Sequence, residues 1–401
     1  MRTADEHAVA ALALAPAPVP VELDLRDALG HVTARPVVAH VDSPPFDNSA
    51  MDGFAVRWAD VRLAALNAAT ESAPVTLAII GESRAGVPAT VALAPGCAIR
   101  IMTGAPMPDG ADTVVPVEAT SVVDGAVGIR EVRSEGAHVR RCGEDARRGD
   151  EVIAAGVELK ARHLAAAAAV GAGRVTVYRR PRVGILSTGD ELAALGTELR
   201  VGQIYESNSY VLDGAVRGAG GDPVLLGPVG DTVADVLAAI ASADVDLIVT
   251  TGGVSVGDYD VVKAALAGVG VEFMSVAMQP GKPQGLGAVD GTPLLCLPGN
   301  PVSVAVSFEL FVHPVIRAMR GLSPRLEWQQ ATVGAAWTSP AGREQFMPIR
   351  FEADAVVPAT SGGAGSHLMA RLAVADGLAR VPAETTEVRA GDSLRVRRFA
   401  G

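Results

Sequence analysis

Three glycine-rich turns, each directly after a short apolar run, contain the residues best suited to bind a charged ligand. The apolar runs cover residues 182–188, 246–251 and 292–297. Runs of this length and composition are typical of strands buried on both faces. Because ligands of open parallel sheets bind at the carboxyl ends of the strands, we expect the three turns to line one crevice. Their polar and turn-forming residues are Ser187, Thr188, Asp190, Glu191, Gly252, Gly253, Ser255, Asp258, Asp260, Pro298, Gly299, Asn300 and Ser303.

These residue types indicate a phosphate-bearing ligand with a divalent cation. Glycine lets the backbone approach a ligand and present N–H groups to phosphate oxygens, and nearby carboxylates can hold Mg²⁺. Asp231, which follows another apolar run, is a further candidate metal ligand. In the alternative interpretation each turn only joins a strand to a helix and each acid caps that helix. This is the commoner outcome for a single turn, but it is less probable for three turns of matching composition. Neither a Walker P-loop nor a GxGxxG motif after a strand is present, so nucleotide hydrolysis and hydride transfer have no support.

The repeat of strand, glycine-rich turn and helix over residues 181–322 predicts a parallel α/β sheet. Its clearest helix covers residues 301–311, with Asn300 as N-cap and Pro301 at the first helical position. The flanking regions favour β-rich modules, because short alternating strands are interrupted there by Gly and Pro. These strands are expected at 75–80, 98–102, 113–117, 329–335, 346–351 and 393–399, and an Ala-rich helix at 163–170. The final eighty or so residues suffice for a small β-barrel or sandwich.

Composition excludes several classes of protein. Hydrophobic residues make up 49% of the 401 residues and charged residues 20%, which is enough apolar material for sizeable cores. The net charge of −11 is unfavourable for holding a nucleic acid, whose affinity for proteins comes largely from Lys and Arg. The three cysteines, Cys97, Cys142 and Cys296, form neither a disulfide framework nor a CxxC pair. The apolar run at 8–19 does not resemble a signal peptide, because Asp5 and Glu6 precede it. We expect a soluble, cytoplasmic protein without membrane insertion or nucleic-acid partners.

Two further segments, residues 44–55 and 101–106, are rich in turn-forming and polar residues. Taken alone, Asp52 would be a turn residue bonded to nearby backbone, and Thr103 would end a strand. In chain order, however, the sequence contains FDNSAMDGFAV, IMTGAPMP, ILSTGDEL, TTGGVSVGDYD, PGKP and LPGNPVS. This ordered set resembles the molybdopterin molybdenumtransferase family, which includes MoeA and the E domain of gephyrin. The resemblance runs from about residue 5 to the C-terminus.

The resemblance implies a multidomain α/β and β subunit that forms a homodimer. A parallel, molybdopterin-binding-like α/β catalytic domain would comprise residues 1–26 plus 181–322, and a small linking domain 27–45 plus 151–180. An inserted β-rich domain would cover 46–150 and a C-terminal β-barrel 323–401. Composition alone changes near residues 46, 150, 181 and 322, but it does not indicate that two of the domains are discontinuous.

The implied reaction inserts molybdate into adenylylated molybdopterin, cleaves its pyrophosphate link and releases AMP with the help of Mg²⁺. The resemblance assigns catalytic roles to Asp52, Thr103, Glu191 and Lys282, and metal binding to Asp231 and Asp260. The resemblance also implies that residues of the three turns bind the substrate. Arg343 or Arg350, together with Ser366, would reach the site across the dimer. The implied substrate-binding turn residues are Ser187, Gly252, Gly253, Ser255, Pro298, Gly299 and Asn300.

The sequence departs from the family pattern before PGKP, where Ser275 and Gln279 replace two lysines that would contact phosphate or molybdate. This loss is the only sequence support for an alternative function, a non-catalytic scaffold like gephyrin that anchors other proteins. A third hypothesis is adenylylation of molybdopterin, since the adenylyltransferase domain of the pathway shares the α/β core. The FDNSAMDG region and the β-rich domains argue against it. Other molybdenum cofactor synthesis proteins are candidate partners of the dimer.

Overall fold

The computed structural model describes residues 1–67, 74–230, 232–254, 260–359 and 372–399. The α-helices are α1 (Ala4–Leu12), α2 (Trp58–Asn67), α3 (Ala161–Ala169), α4 (Asn208–Gly218), α5 (Val233–Ala241), α6 (Val261–Leu266), α7 (Pro301–Ser307) and α8 (His313–Met319). Two 3₁₀ turns occupy Leu25–Ala28 and Val117–Ala119, and a π-helical turn, Phe308–Val312, joins α7 to α8.

Many of the strands are short. They are β1 (Pro20–Asp24), β2 (Val32–Thr33), β3 (Val37–Val38), β4 (Asn48–Ser49), β5 (Gly53–Val56), β6 (Val75–Ser83), β7 (Cys97–Ile101), β8 (Thr113–Pro116), β9 (Thr120–Val123), β10 (Ala126–Ile129), β11 (Val139–Arg140), β12 (Glu151–Ile153), β13 (Arg174–Tyr178), β14 (Arg182–Ser187), β15 (Leu192–Ala193), β16 (Ile204–Tyr205), β17 (Asp222–Leu225), β18 (Leu247–Thr251), β19 (Val271–Ser275), β20 (Met278–Gln279), β21 (Pro283–Val289), β22 (Thr292–Leu297), β23 (Gln329–Val333), β24 (Trp337–Thr338), β25 (Glu344–Glu352), β26 (Ala355–Pro358), β27 (Gly377–Val381), β28 (Glu387–Val388) and β29 (Ser393–Arg398).

The chain divides into two compact units. The larger unit comprises Met1–Val21, Gly30–Ala34 and Thr176–Gly401, and the smaller unit comprises Glu22–Leu29 and Arg35–Val175. The chain enters each unit more than once, so neither unit is a continuous stretch of sequence.

A six-stranded sheet in the order β17-β14-β18-β22-β21-β19 forms the centre of the larger unit. The first four strands are parallel, as the three apolar runs predict, and β14, β18 and β22 match those runs to within a residue. The last two strands are antiparallel, so the sheet is mixed rather than wholly parallel. A two-residue turn, Asp290-Gly291, joins β21 to β22, and both residues have positive φ. Such a turn matches the twist of a tight hairpin, which explains the antiparallel edge.

The helix predicted at 301–311 is present, and it extends further than predicted because α7 continues through the π-helical turn into α8. Pro301 occupies the first turn, while Asn300 stands at the N-cap without a side-chain capping bond. The stretch Pro301–Met319 has the length and hydropathy of a membrane span, and 89% of it is buried inside the protein. Its side chains, including Phe308 and Phe311, fill the main core with residues of α1 and the sheet. It is therefore the core helix of this unit.

The C-terminal part of the larger unit is a small closed barrel. Strands β25, β26, β23, β29 and β27 pair in that order, and β27 pairs back with β25 to close the ring. Strand β20 attaches to its edge, with Met278 opposite Glu344 and Gln279 opposite Gln345. This pairing holds the segment that leads into the PGKP motif against the start of β25.

The smaller unit is β-rich. Its main sheet has the order β8-β5-β7-β6-β10-β9, and residues such as Phe54, Leu77 and Val127 form its core against α2. Helix α3, predicted from the Ala-rich run, begins and ends within two residues of the expected bounds. The predicted class, a multidomain protein with an α/β core and two β-rich parts, is confirmed.

Candidate functional site

A cavity of about 970 Å³ lies at the carboxyl ends of β14, β18 and β22, within the larger unit. Each of the three predicted turns contributes to its wall, together with the segment around PGKP and one arginine from the barrel. Eleven of the residues expected at the site line it: Thr188, Glu191, Gly252, Gly253, Asp260, Lys282, Pro298, Gly299, Asn300, Ser303 and Arg343. The expectation that the turns converge on one crevice is therefore confirmed for the described residues.

Other predicted residues are not among those that line the cavity. Ser255, Asp231 and Ser366 are outside the described residues, so the structure does not test them. Arg350 does not line the cavity, and its guanidinium pairs with Glu352 at 2.7 Å. Arg343 lines the cavity of its own chain, so the structure differs from the expectation that it enters across a dimer. The cause is the pairing of β20 with β25, which fixes the start of β25 beside the cavity wall.

Ser187 was expected to bind substrate, but the structure places it behind the cavity wall. Its side chain is buried, and its hydroxyl donates to the Glu206 carboxylate at 3.3 Å and accepts from the Thr251 hydroxyl at 3.4 Å. Glu206 also accepts the backbone N–H of Ser209 in the first turn of α4 at 2.9 Å. Ser187 therefore ties the end of β14 to the start of α4. The last residue of a strand that is buried on both faces can point into the core as easily as toward a ligand.

The glycines of the second and third turns permit a close approach of backbones. Gly252 has φ +87°, and a Cβ there would lie 2.8 Å from the carbonyl oxygen of Thr188. A Cβ on Gly299 would lie 3.3 Å from the Cα of Gly252. The Gly252 N–H donates to the Leu297 carbonyl at 3.3 Å, so it holds the turn against β22 rather than facing a phosphate. The glycines bring the three strand ends together, and no larger residue fits without displacing backbone.

Four residues of the cavity wall have a buried side-chain atom without a hydrogen-bond partner among the described residues. The atoms are Thr188 Oγ1, Asn208 Oδ1, Asp260 Oδ2 and Gln279 Oε1. An unpaired buried polar atom costs about 1–3 kcal/mol, so such atoms are rare and need an explanation. The orientation of the Asn208 amide is set by its Nδ2, which donates to the Gly299 carbonyl at 2.8 Å. A bound ligand or cation that engages these atoms would relieve their cost.

The cavity wall is balanced in charge. Lys282 and Arg343 are its cations and Glu191 and Asp260 its carboxylates among the described residues. Mg²⁺ in proteins is usually held by one or two carboxylates and completed by substrate phosphates. Within the described residues no group of three or more His, Cys, Asp or Glu side chains could form a protein-only metal site. The unpaired Asp260 oxygen and the sparse carboxylates therefore suit a cation that is shared with an anionic ligand.

The two departures from the lysine pattern differ in position. Gln279 lines the cavity, whereas Ser275 does not and lies in β19 opposite Pro283. Only one of the two missing lysines therefore removes a cation from this cavity wall. The cis peptide bond between Gln279 and Pro280 is part of the same wall.

Asp52 and Thr103 belong to the smaller unit and contact each other there. The Asp52 carboxylate accepts the backbone N–H of Thr103 at 2.7 Å and its hydroxyl at 3.0 Å. The backbone hydrogen bond, followed by the hydroxyl bond, lowers the pKa of Asp52 below its ordinary value. Asp52 is therefore an ionised acceptor that links the turn before β5 to the turn after β7.

Sequence reasoning missed the segment Ile204, Tyr205, Ser207 and Asn208, all of which line the cavity. The segment follows a loop and leads into α4, and its Ser-Asn pair is a recognisable helix start. No apolar run precedes it, so the strand-and-turn pattern that located the other walls could not find it.

Together these features define a multidomain α/β and β protein with a cavity at the carboxyl ends of the parallel strands of its main sheet. Three family models match it: the MoeA N-terminal region (domains I and II) over residues 2–171, the probable molybdopterin binding domain over 184–318 and the MoeA C-terminal region (domain IV) over 330–399.

Similar proteins agree with these matches. Molybdopterin molybdenumtransferase 2 of Mycobacterium tuberculosis is 44% identical over 406 residues, which covers 99% of each chain. The molybdopterin molybdenumtransferase of Haemophilus influenzae is 33% identical over 94% of this chain and 93% of its own. The crystal structure of the molybdopterin biosynthesis MoeA protein from Pyrococcus horikoshii superposes with a TM-score of 0.85 at 31% identity, covering 100% of this chain and 99% of that one. The chain belongs to the molybdopterin molybdenumtransferase family and is an enzyme of molybdenum cofactor biosynthesis.

Proposed function

We propose that this enzyme inserts molybdate into adenylylated molybdopterin and releases AMP in an Mg²⁺-dependent reaction. An oxygen of water or molybdate would bond to the adenylyl phosphorus as the bridging P–O bond breaks, which gives AMP and leaves the second phosphate on molybdopterin. The two dithiolene sulfurs would bond to molybdenum in exchange for molybdate oxygens, which leave as water. The proposal rests on one observation: four buried, unpaired polar atoms belong to residues of a single cavity at the strand ends. The Thr188 hydroxyl can donate to a pyrophosphate oxygen, and the three acceptor oxygens can be met by a cation or by the hydroxyl and amino groups of an adenylylated ligand.

The residues of the cavity divide into two groups by charge. Lys282 and Arg343 would hold the anionic oxygens of pyrophosphate and molybdate, because charge-assisted hydrogen bonds to oxyanions are the strong ones. Asp260 and Glu191 would hold the cation. When bound, Mg²⁺ would neutralise charge on the pyrophosphate oxygens and stabilise the molybdopterin phosphate as the leaving group of the cleavage. Asp260 is suited to this role because its side chain does not cap α6 and its Oδ2 has no hydrogen-bond partner among the described residues.

The resemblance to the family supplies the remaining parts of the proposal. Asp231, Ser255 and Ser366 would add metal and substrate contacts, and Asp52 and Thr103 would complete the catalytic set. A homodimer in the cytoplasm would be the active form. If so, sedimentation should detect a dimer at the concentrations at which AMP is released, and a fully active monomer would contradict this part.

AMP release from adenylylated molybdopterin, measured by chromatography, tests the reaction. Release should require both molybdate and Mg²⁺. Asp260→Asn should lower the Mg²⁺-dependent rate at least tenfold, in line with loss of a charged contact of about 1.5–3 kcal/mol. Its folding should be little changed, since the lost oxygen has no partner among the described residues.

Asp290→Asn is the matched control. Asp290 is exposed, and its φ of +50° is a conformation that asparagine tolerates. This variant removes the same charge from the same unit away from the cavity wall and should keep the parent rate. The proposed reaction is wrong if the parent releases no AMP with substrate, Mg²⁺ and molybdate all supplied. The metal assignment alone is wrong if Asp260→Asn responds to Mg²⁺ as the parent does.

A further inference from the structure

A short two-stranded ribbon next to the cavity starts at one of its carboxylate residues. Strand β15 pairs in parallel with β16, with Leu192 opposite Ile204 and Ala193 opposite Tyr205. The Ile204 N–H donates to the Glu191 carbonyl at 2.8 Å. Tyr205 is therefore held by backbone bonds beside the residue to which a catalytic role is assigned.

Tyr205 is the only aromatic side chain on the described part of the cavity wall. It is 42% exposed, and its neighbour Ile204, also on the wall, is 57% exposed. The other strongly exposed aromatic side chains of the described residues, Phe46 and Tyr210, do not line the cavity. Large exposed apolar surface next to a polar cleft is a common mark of a binding site.

The tyrosine ring is anchored at its far end. Its hydroxyl donates to the Thr197 carbonyl at 2.9 Å, and the loop that carries Thr197 is itself folded by a bond from the Thr197 hydroxyl to the Ala194 carbonyl at 2.7 Å. A ring fixed in this way loses little conformational freedom when a flat partner stacks on it.

We propose that Tyr205, flanked by Ile204, is the stacking platform for a planar heterocycle of the ligand. The inference rests on the proposed function, whose substrate carries two such ring systems, adenine and pterin. The charged and glycine-rich parts of the wall suit the phosphates and molybdate, and the ribbon supplies the apolar, aromatic surface that a ring requires. Aromatic stacking is tolerant of ring identity, because every such heterocycle presents a π-face.

Calorimetric titration of the full-length protein with AMP, 6-hydroxymethylpterin and inorganic pyrophosphate tests this assignment. Tyr205→Ala should weaken binding of a ring-bearing probe roughly 5- to 150-fold, the equivalent of about 1–3 kcal/mol for one stacked base. Pyrophosphate, which has no ring, should bind as to the parent. Tyr205→Phe keeps the ring and should stay within about threefold of the parent. Tyr210→Ala removes an exposed tyrosine outside the cavity and should change nothing.

The two ring-bearing probes identify the ring. A loss confined to AMP places adenine on Tyr205, a loss confined to the pterin places the pterin there, and either result supports the platform. The platform is refuted if Tyr205→Ala binds both probes as the parent does, if pyrophosphate binding falls equally, or if the parent binds neither ring-bearing probe. An enzyme that binds AMP through Tyr205 yet releases none from adenylylated molybdopterin would refute the proposed reaction and leave the platform intact.

Discussion

Replacing Gly252 by alanine tests whether the strand ends must approach as closely as the structure shows. Two effects should add to lower the free energy of unfolding of this variant. Gly252 has φ +87°, and a residue with a Cβ in that region destabilises the fold by roughly 1–2 kcal/mol. The new Cβ would also lie 2.8 Å from the Thr188 carbonyl oxygen. That oxygen is backbone and no rotamer change can move it, so the first and second turns must separate at about 1–3 kcal/mol.

Gly268 provides a matched control, because its φ is +85° and a Cβ there would meet nothing within 4 Å. Gly268→Ala should be destabilised by the positive-φ strain only. Gly252→Ala should be destabilised by both the strain and the steric contact, about 2–5 kcal/mol in total. Urea unfolding followed by circular dichroism measures the difference, and calorimetry with pyrophosphate measures the site. We expect Gly252→Ala to lose pyrophosphate binding and Gly268→Ala to keep it. Equal unfolding free energies and equal binding in the two variants would refute the role given to this approach.

Two other measurements examine the charge of the cavity and of the core. Gln279→Lys should tighten pyrophosphate binding about tenfold or more in calorimetry, through a charged contact on the cavity wall, while Ser275→Lys, which is off the wall, should have little effect. The unfolding free energy should fall as the pH drops from about 6.5 toward 4. Burial lowers the pKa of His7 to about 4 and that of His313 to about 3, so below 6.5 the unfolded chain binds more protons than the folded one. Each histidine contributes about 1.4 kcal/mol per pH unit in that window, and urea unfolding of His7→Leu should show a shallower slope than the parent.

The strand ends that form the cavity were predictable because each strand and turn there has a recognisable local sequence pattern. A run such as Leu247–Thr251 has to be apolar on both faces to lie in the middle of the sheet, and the glycines after it are required by backbone contact. The antiparallel edge was also readable in principle. Asp290-Gly291 between two apolar runs is a strong hairpin signal, whereas the strand–helix repeat of the region predicts parallel strands only.

The direction in which a side chain points is harder to predict. Ser187 and Thr188 are adjacent in sequence, yet only Thr188 lines the cavity, since side chains alternate between faces along a strand. A shift of one residue in the expected strand end exchanges their roles. Arg343 illustrates a different limit, because its place depends on the pairing of β20 with β25, a contact between segments more than sixty residues apart that no local pattern encodes.

The position of Gln279 bears on how the proposed reaction would be driven in this chain. Lys282 and Arg343 are balanced by Glu191 and Asp260, so the described wall has no excess positive charge for a pyrophosphate and a molybdate. A lysine at position 279 would give the wall one excess positive charge, whereas glutamine offers only uncharged amide N–H donors and leaves its Oε1 unpaired among the described residues. The charge of the ligand must then be met mainly by the cation that Asp260 and Glu191 would share with it. We therefore infer that ligand affinity depends more steeply on Mg²⁺ in the parent than in Gln279→Lys. Titrating pyrophosphate at several Mg²⁺ concentrations compares the two slopes, and parallel slopes would show that Gln279 does not set this balance.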